Sequence, residues 1–215
     1  VNRIFLIHAL RDSVEPARAA MARGWPNAQV ANLLDDSLSA DLARAGTLDA
    51  AMIARFVRLG RYAHDQGAEG ILFTCSAFGA AIEAVAADLP IPVLKPNESA
   101  FRAALRHGKR IGLLVTFAGS LAPLTAELRA MAGDALDLHA QIVPGALAAL
   151  QTGDGATHDA LIAQTASRLP AIDALVLGQF SMARAAGSIA RAPLYTTPDA
   201  AVAELKARVT SRRGS

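Results

Sequence analysis

The only cysteine of the 215-residue chain, Cys75, lies in the run Gly70-Ile-Leu-Phe-Thr-Cys-Ser-Ala-Phe-Gly79. An apolar stretch stops at Thr74 and small residues lead into a helical pattern, so the thiol is expected at the carboxyl end of a buried strand and just before a helix. Unpaired N–H groups and positive partial charge at a helix start favour a thiolate. A thiol there is expected to have a lowered pKa and to serve as base, acid or nucleophile; the alternative is a small buried apolar side chain. Ser76 and Ala77 bring backbone N–H groups to the same helix start, and Thr116 brings a hydroxyl after a second strand. Paired donors of this kind hold a carboxylate or an oxyanion, although Ser and Thr also cap helices routinely. His8 ends the first strand, and its imidazole titrates near neutrality, as a general acid or base must; a satisfied strand-end histidine is the other reading. Gln179, in Leu177-Gly-Gln-Phe-Ser181, can both donate and accept hydrogen bonds. Ser181 adds a nearby hydroxyl.

Other polar residues carry less. His64, His107, His139 and His158 show no metal-ligand spacing, and no metal is expected. Lys95 and Asn97 follow the fourth strand and are candidates for the rim of a site, while Glu98 suits the first turn of a helix. Asp35-Asp36 reads as a loop or cap pair, and Gly153-Asp-Gly155 as a turn. No glycine-rich phosphate loop of the nucleotide-binding kinds is present.

Composition narrows the classes of function. Hydrophobic residues make up 53% of the chain and aromatics 5%, which favours helices on a buried sheet and leaves little for base-stacking platforms. Net charge is +2, and the two modest basic clusters (Arg102, Arg106, Lys109, Arg110; and Lys206, Arg208, Arg212, Arg213) accompany no nucleic-acid motif. A nucleic-acid partner is therefore not expected. One cysteine rules out an intrachain disulfide framework and suits a cytoplasmic protein. No export signal is expected, because Val1-Asn-Arg-Ile-Phe-Leu-Ile leads almost directly into a strand. No uninterrupted apolar stretch is long enough for a bilayer, so no membrane association is expected.

The elements that must position these residues alternate. Strands are expected at Arg3–His8, Gln29–Leu33, Ile71–Thr74, Ile91–Leu94, Arg110–Val115, Leu138–Val143, Ala174–Leu177 and Pro193–Tyr195. Helical periodicity lies between them, at Thr47–His64, Ala77–Ala87, Ser99–His107, Leu121–Met131, His158–Leu169, Ser181–Arg191 and Pro198–Val209. Alternation of this sort implies parallel sheets covered on both faces. The halves also repeat: Arg3-Ile-Phe-Leu-Ile-His8 aligns with Arg110-Ile-Gly-Leu-Leu-Val115, Gly70-Ile-Leu-Phe-Thr-Cys75 with Ala174-Leu-Val-Leu-Gly-Gln179, and Leu94-Lys-Pro-Asn97 with Thr196-Thr-Pro-Asp199. Three matches in order at nearly constant offset point to a duplicated α/β unit. Ligands of such sheets bind outside the carboxyl ends of the strands, so Cys75 and Gln179 are expected to face each other across a cleft between two lobes.

Through Thr74-Cys75-Ser76, Leu175-Val-Leu-Gly178 and the repeat, the chain resembles the aspartate/glutamate racemase superfamily over nearly its whole length. That group includes glutamate, aspartate and hydantoin racemases, maleate isomerase and arylmalonate decarboxylase. The resemblance implies two pseudo-symmetric Rossmann-like α/β lobes, each with a mainly parallel four-stranded sheet, and no cofactor. It places lobe one at 1–97, lobe two at 98–198 and a C-terminal helix and tail at 199–215. The racemases use two cysteines, one per lobe, to remove and return a proton. Cys75 matches the first, whereas Gln179 stands at the second and Phe180 where glutamate racemases carry a histidine. An amide does not exchange a proton near neutral pH, so two-thiol racemisation is not expected. The expected site comprises Cys75, from the resemblance, and His8, from its place at the strand end, as catalytic groups, with Thr74, Ser76, Ala77, Thr116, Phe117, Gln179, Phe180 and Ser181 around a small carboxylate substrate.

The expected function is asymmetric, one-cysteine proton transfer at the carbon next to a carboxylate. The alternatives are decarboxylation of a malonate-type acid, a hydrolase with Cys75 as nucleophile and His8 as base, and a non-catalytic carboxylate-binding protein. A homodimer is the default assembly.

Overall fold

A computed structural model describes residues 1–191 and 193–212. Arg213 of the second basic cluster and the end of the expected tail lie outside the described residues. The chain divides into two compact units: Val1–Pro96 with the residues from Ala201 onward, and Asn97–Ala200.

The first unit holds a parallel sheet of β1 (Arg3–His8), β2 (Gln29–Leu34), β3 (Gly70–Phe73) and β4 (Val93–Leu94), in the order β2-β1-β3-β4. The two central strands read as unbroken apolar runs because both of their faces are covered; every residue of β3, and β1 from Ile4 to His8, is buried. Between the strands lie α1 (Val14–Gly24), α2 (Leu38–Ala45), α3 (Ala50–Asp65) and α4 (Gly79–Asp88). Asp49 starts α3 by accepting the Met52 N–H at 2.8 Å. Met52, Phe56, Gly60 and Ala63 then recur at helical spacing as the buried stripe of α3. On this face Phe56 stacks on Phe73 and tilts against Phe78, with centroids 5.3 and 4.7 Å apart. Gly60 lets α3 approach α4, since a Cβ there would stand 2.4 Å from Val85 Cγ1.

The second unit repeats the plan. Its strands β5 (Arg110–Val115), β6 (Asp137–Ile142), β7 (Ala174–Leu177) and β8 (Leu194–Thr196) are all parallel, in the order β6-β5-β7-β8. One face packs on α5 (Glu98–Leu105) and α6 (Ala118–Ala132) through Phe101, Leu124 and Leu128. The other packs on α7 (Ala146–Gln151) and α8 (Gly155–Arg168) through Ala146, Ile162 and Ala166. The final helix, α9 (Thr197–Ser211), begins in the second unit, but its residues from Ala201 belong to the first. There Val202, Leu205 and Val209 are buried, and Leu205 and Val209 lie against Gly70 beside Ile4.

Each expected strand is present, with ends shifted by a residue or two. Helices α1, α2 and α7 fall outside the expected set. Ser181–Arg191, expected as a helix, is instead 3-10 structure over Phe180–Ser188. Its buried Met182 and Ala185 recur at the three-residue period of that tighter coil. No helix among the described residues is long and apolar enough to cross a membrane.

Candidate functional site

Each sheet has one point where successive crossovers run to opposite sides, between β1 and β3 and between β5 and β7. In open α/β sheets, ligands bind outside the carboxyl ends of the strands at such a point. In the first unit Ile7 pairs with Phe73, and the Thr74 N–H continues the ladder to the Ile7 carbonyl at 3.0 Å. Cys75 follows immediately. In the second unit Leu114 pairs with Leu177, and the Gly178 N–H continues to the Leu114 carbonyl at 2.8 Å. Gln179 follows immediately. Cys75 and Gln179 therefore hold equivalent places in their own units, each two residues past the last ladder pair.

Cys75 is half-buried and free. It leaves the strand in extended conformation and opens a 3-10 turn, Ser76–Phe78, ahead of α4. Burial pushes its thiol above the ordinary value, and hydrogen bonds from the Ala77 N–H and the Ser39 hydroxyl only partly offset this. The lowered pKa expected from the helix start does not hold: the adjacent turn supplies a donor, but desolvation of the sulfur outweighs it. The Ser39 hydroxyl, in the first turn of α2, lies 3.2 Å from the Ala9 carbonyl as well, so its single hydrogen is shared between that oxygen and the sulfur. It is a neighbour of the thiol that sequence reasoning missed, because nothing in the chain ties the start of α2 to the end of β3.

His8 is fully buried beneath this strand end. Its Nε2 lies 3.0 Å from Asn32 Oδ1, which can only accept, so Nε2 carries the hydrogen. Nδ1 is then an acceptor for the Thr74 hydroxyl at 2.9 Å, and the Ser13 hydroxyl oxygen lies 3.2 Å away. These hydroxyls also touch each other at 2.9 Å, and Ser13 donates to the Leu10 carbonyl at 2.8 Å. Burial holds the imidazole below its ordinary pKa, against the opposing bond to Asn32. Both ring nitrogens are thus engaged inside the first unit, and the Thr74 hydroxyl turns inward toward them. The network braces the residue directly before Cys75. Ser13 and Asn32 were not legible as its members.

In the second unit the Gln179 carboxamide reaches back to the turn between β5 and α6. Its Oε1 accepts from the Thr116 N–H at 2.5 Å, the Thr116 hydroxyl at 2.9 Å and the Phe117 N–H at 3.2 Å. Thr116 is buried, and the Phe117 ring lies over Gly119, where a Cβ would stand 2.6 Å from Phe117 Cε1. Ser76 and Phe180 are buried, whereas Ala77 and Ser181 are half-buried. The structure thus joins His8 with Thr74, Cys75 with Ala77, and Gln179 with Thr116 and Phe117, each set within one unit.

The remaining polar residues are held locally. Asp35 accepts from Ser37 at 2.7 Å and pairs with Arg55, while Asp36 pairs with Arg11 at 2.7 Å. Lys95 pairs with Glu83 at 2.8 Å and Glu98 with Arg102 at 2.9 Å. His107 meets the Tyr195 hydroxyl, His139 meets Asp137, and the buried His158 meets Asp159 at 2.8 Å. Asn97 is buried with no partner on either amide atom among the described residues. No group of three or more His, Cys, Asp or Glu among the described residues is arranged to hold a metal ion.

Comparison with known structures finds this fold repeatedly. Allantoin racemase from Klebsiella pneumoniae superposes with a TM-score of 0.73 at 20% identity, covering 99% of this chain and 89% of that one. A glutamate racemase from Bacillus anthracis gives 0.73 at 17% identity, covering 98% and 82%. The aspartate racemase of Picrophilus torridus gives 0.70 at 11% identity, covering 98% and 95%. Among curated proteins no relative matches by sequence. The family model described as Asp/Glu/hydantoin racemase matches residues 11–205, and the chain belongs to that family.

Proposed function

We propose that the protein is a cofactor-independent enzyme that transfers a proton at the carbon next to a carboxylate of a small acid, with Cys75 as the single proton carrier. The observation that carries this reading is the thiol itself. It stands at the carboxyl end of a central strand, held by the Ala77 N–H and the Ser39 hydroxyl, and burial keeps it protonated near neutrality. Its counterpart in the second unit is an amide, which takes no part in proton exchange. The chain contains no second cysteine. His8, with both nitrogens engaged, acts by positioning Thr74 and through it the thiol.

A resting thiol is an acid, and that favours a second reading, decarboxylation of a malonate-type acid. Cleavage of one carboxylate as CO2 leaves its electron pair in an enediolate. The carbon then takes the proton from Cys75 Sγ, and the thiolate regains one from water.

The test is incubation with glutamate, aspartate, hydantoins and substituted malonates in D2O. NMR would follow deuterium entry at the reacting carbon and loss of CO2. Cys75→Ala is expected to abolish both. Full turnover by Cys75→Ala on the substrate so found would end the proposal.

A further inference from the structure

The Gln179 side chain is fixed in direction, and the direction has chemical content. The two backbone N–H groups that meet it, from Thr116 and Phe117, can only donate. The amide atom facing them must therefore be the oxygen, and the hydrogen-bond network settles the assignment. The Thr116 hydroxyl adds a third donor to the same Oε1. An oxygen meeting three donors has no lone pair left over for a ligand. Nε2 has no partner among the described residues and is not one of their fully buried unsatisfied atoms, so it keeps some accessible surface just past the carboxyl end of β7. Turning the amide over would set an NH2 group against two N–H donors and the hydroxyl, with two of those contacts unsatisfiable.

We propose that Gln179 is a specificity-determining residue that offers a ligand only a hydrogen-bond donor. This deepens the reading above, on which it rests for the ligand being a small acid. The position selects an acceptor, a carboxylate or carbonyl oxygen, and rejects an ammonium or other donor group. The preferred substrate class is then a small acid that presents oxygen to residue 179, in contrast to a free α-amino acid that presents its ammonium there.

Succinate and L-aspartate differ by one ammonium group and make a suitable probe pair. Their binding to the full chain is measured by calorimetry or NMR titration. Wild type is expected to bind succinate about 10-fold or more tightly than aspartate, the usual scale for a charged group set against a mismatched partner. Gln179→Glu keeps one oxygen on the three donors and turns the other outward as an acceptor. It is expected to shift the succinate-to-aspartate ratio at least about 10-fold toward aspartate, with little change in melting temperature. Gln179→Met, which keeps length without a donor, is expected to weaken succinate with no gain for aspartate. Equal ratios in wild type and Gln179→Glu, a wild-type preference for aspartate, or binding of neither acid would each overturn the proposal. The readout is affinity. Should Cys75→Ala keep full turnover, proton transfer by Cys75 would fall while the donor role of Gln179 remained open to this measurement.

Discussion

The buried histidine makes a quantitative prediction. Burial depresses the His8 pKa below 6.5 in the folded protein, while the unfolded chain titrates near 6.5. Between those two values the unfolded state binds more protons, so stability rises with pH through that window. The contribution is complete above 6.5 and is lost as pH falls. One proton corresponds to a slope of at most about 1.4 kcal/mol per pH unit within that window. Protonation also converts Nδ1 from acceptor to donor, so the Thr74 hydroxyl must redirect its hydrogen, with the Ile7 carbonyl at 3.4 Å as the available acceptor. Trp25, the only tryptophan, is buried in the same unit at the end of α1 and reports its unfolding by fluorescence. Urea melts from pH 5 to 8 on wild type and His8→Gln are expected to run in parallel above 6.5 and to diverge below it, wild type falling more steeply. Parallel curves down to pH 5 would refute the argument that the ring is held neutral by its surroundings.

Three further outcomes follow from the packing and from the thiol. Iodoacetamide should label Cys75 slowly at pH 7, with a midpoint above the ordinary 9.0, and Ser39→Ala, which removes one donor to the sulfur, should push the midpoint higher still; an unmoved midpoint in Ser39→Ala would show that the hydroxyl does not reach the thiolate. Phe56→Ala empties the space between Phe73 and Phe78 and should cost about 3–5 kcal/mol in urea melts followed at Trp25. Gly60→Ala drives a methyl against Val85 and should cost about 1–3 kcal/mol, seen as a lower melting temperature; an unchanged value would mean that α3 and α4 can separate freely.

How much of this was legible in the sequence depends on how local each cause is. Strands β1, β3, β5 and β7 announce themselves because central parallel strands are buried on both faces and read as unbroken apolar runs. The repeat was visible for the same reason, and it aligned Gln179 with Cys75. Short helices such as α2 and α7 were not legible, because eight or six residues carry little periodicity. The direction of the Cys75 shift was misjudged because the donor at the turn is adjacent in sequence, whereas the groups that desolvate the sulfur come from elsewhere in the fold. The orientation of Gln179 was hidden for a like reason: the donors that fix it lie more than sixty residues earlier, at Thr116 and Phe117.

The return of α9 to the first unit has a consequence for biosynthesis. As the chain leaves the ribosome, β1 through β4 emerge well before Leu205 and Val209, which lie over Gly70 beside Ile4, and before Val202, which lies against Gly24. The whole of the second unit is made in between. At ordinary translation rates that interval is roughly 5–20 s. The nascent unit thus spends seconds with the apolar surface at Ile4 and Gly70 uncovered by α9, which is time for a chaperone to engage it or for a neighbouring chain to misassemble with it. The second unit ends at Ala200, so all of its own residues are made before Val202 emerges.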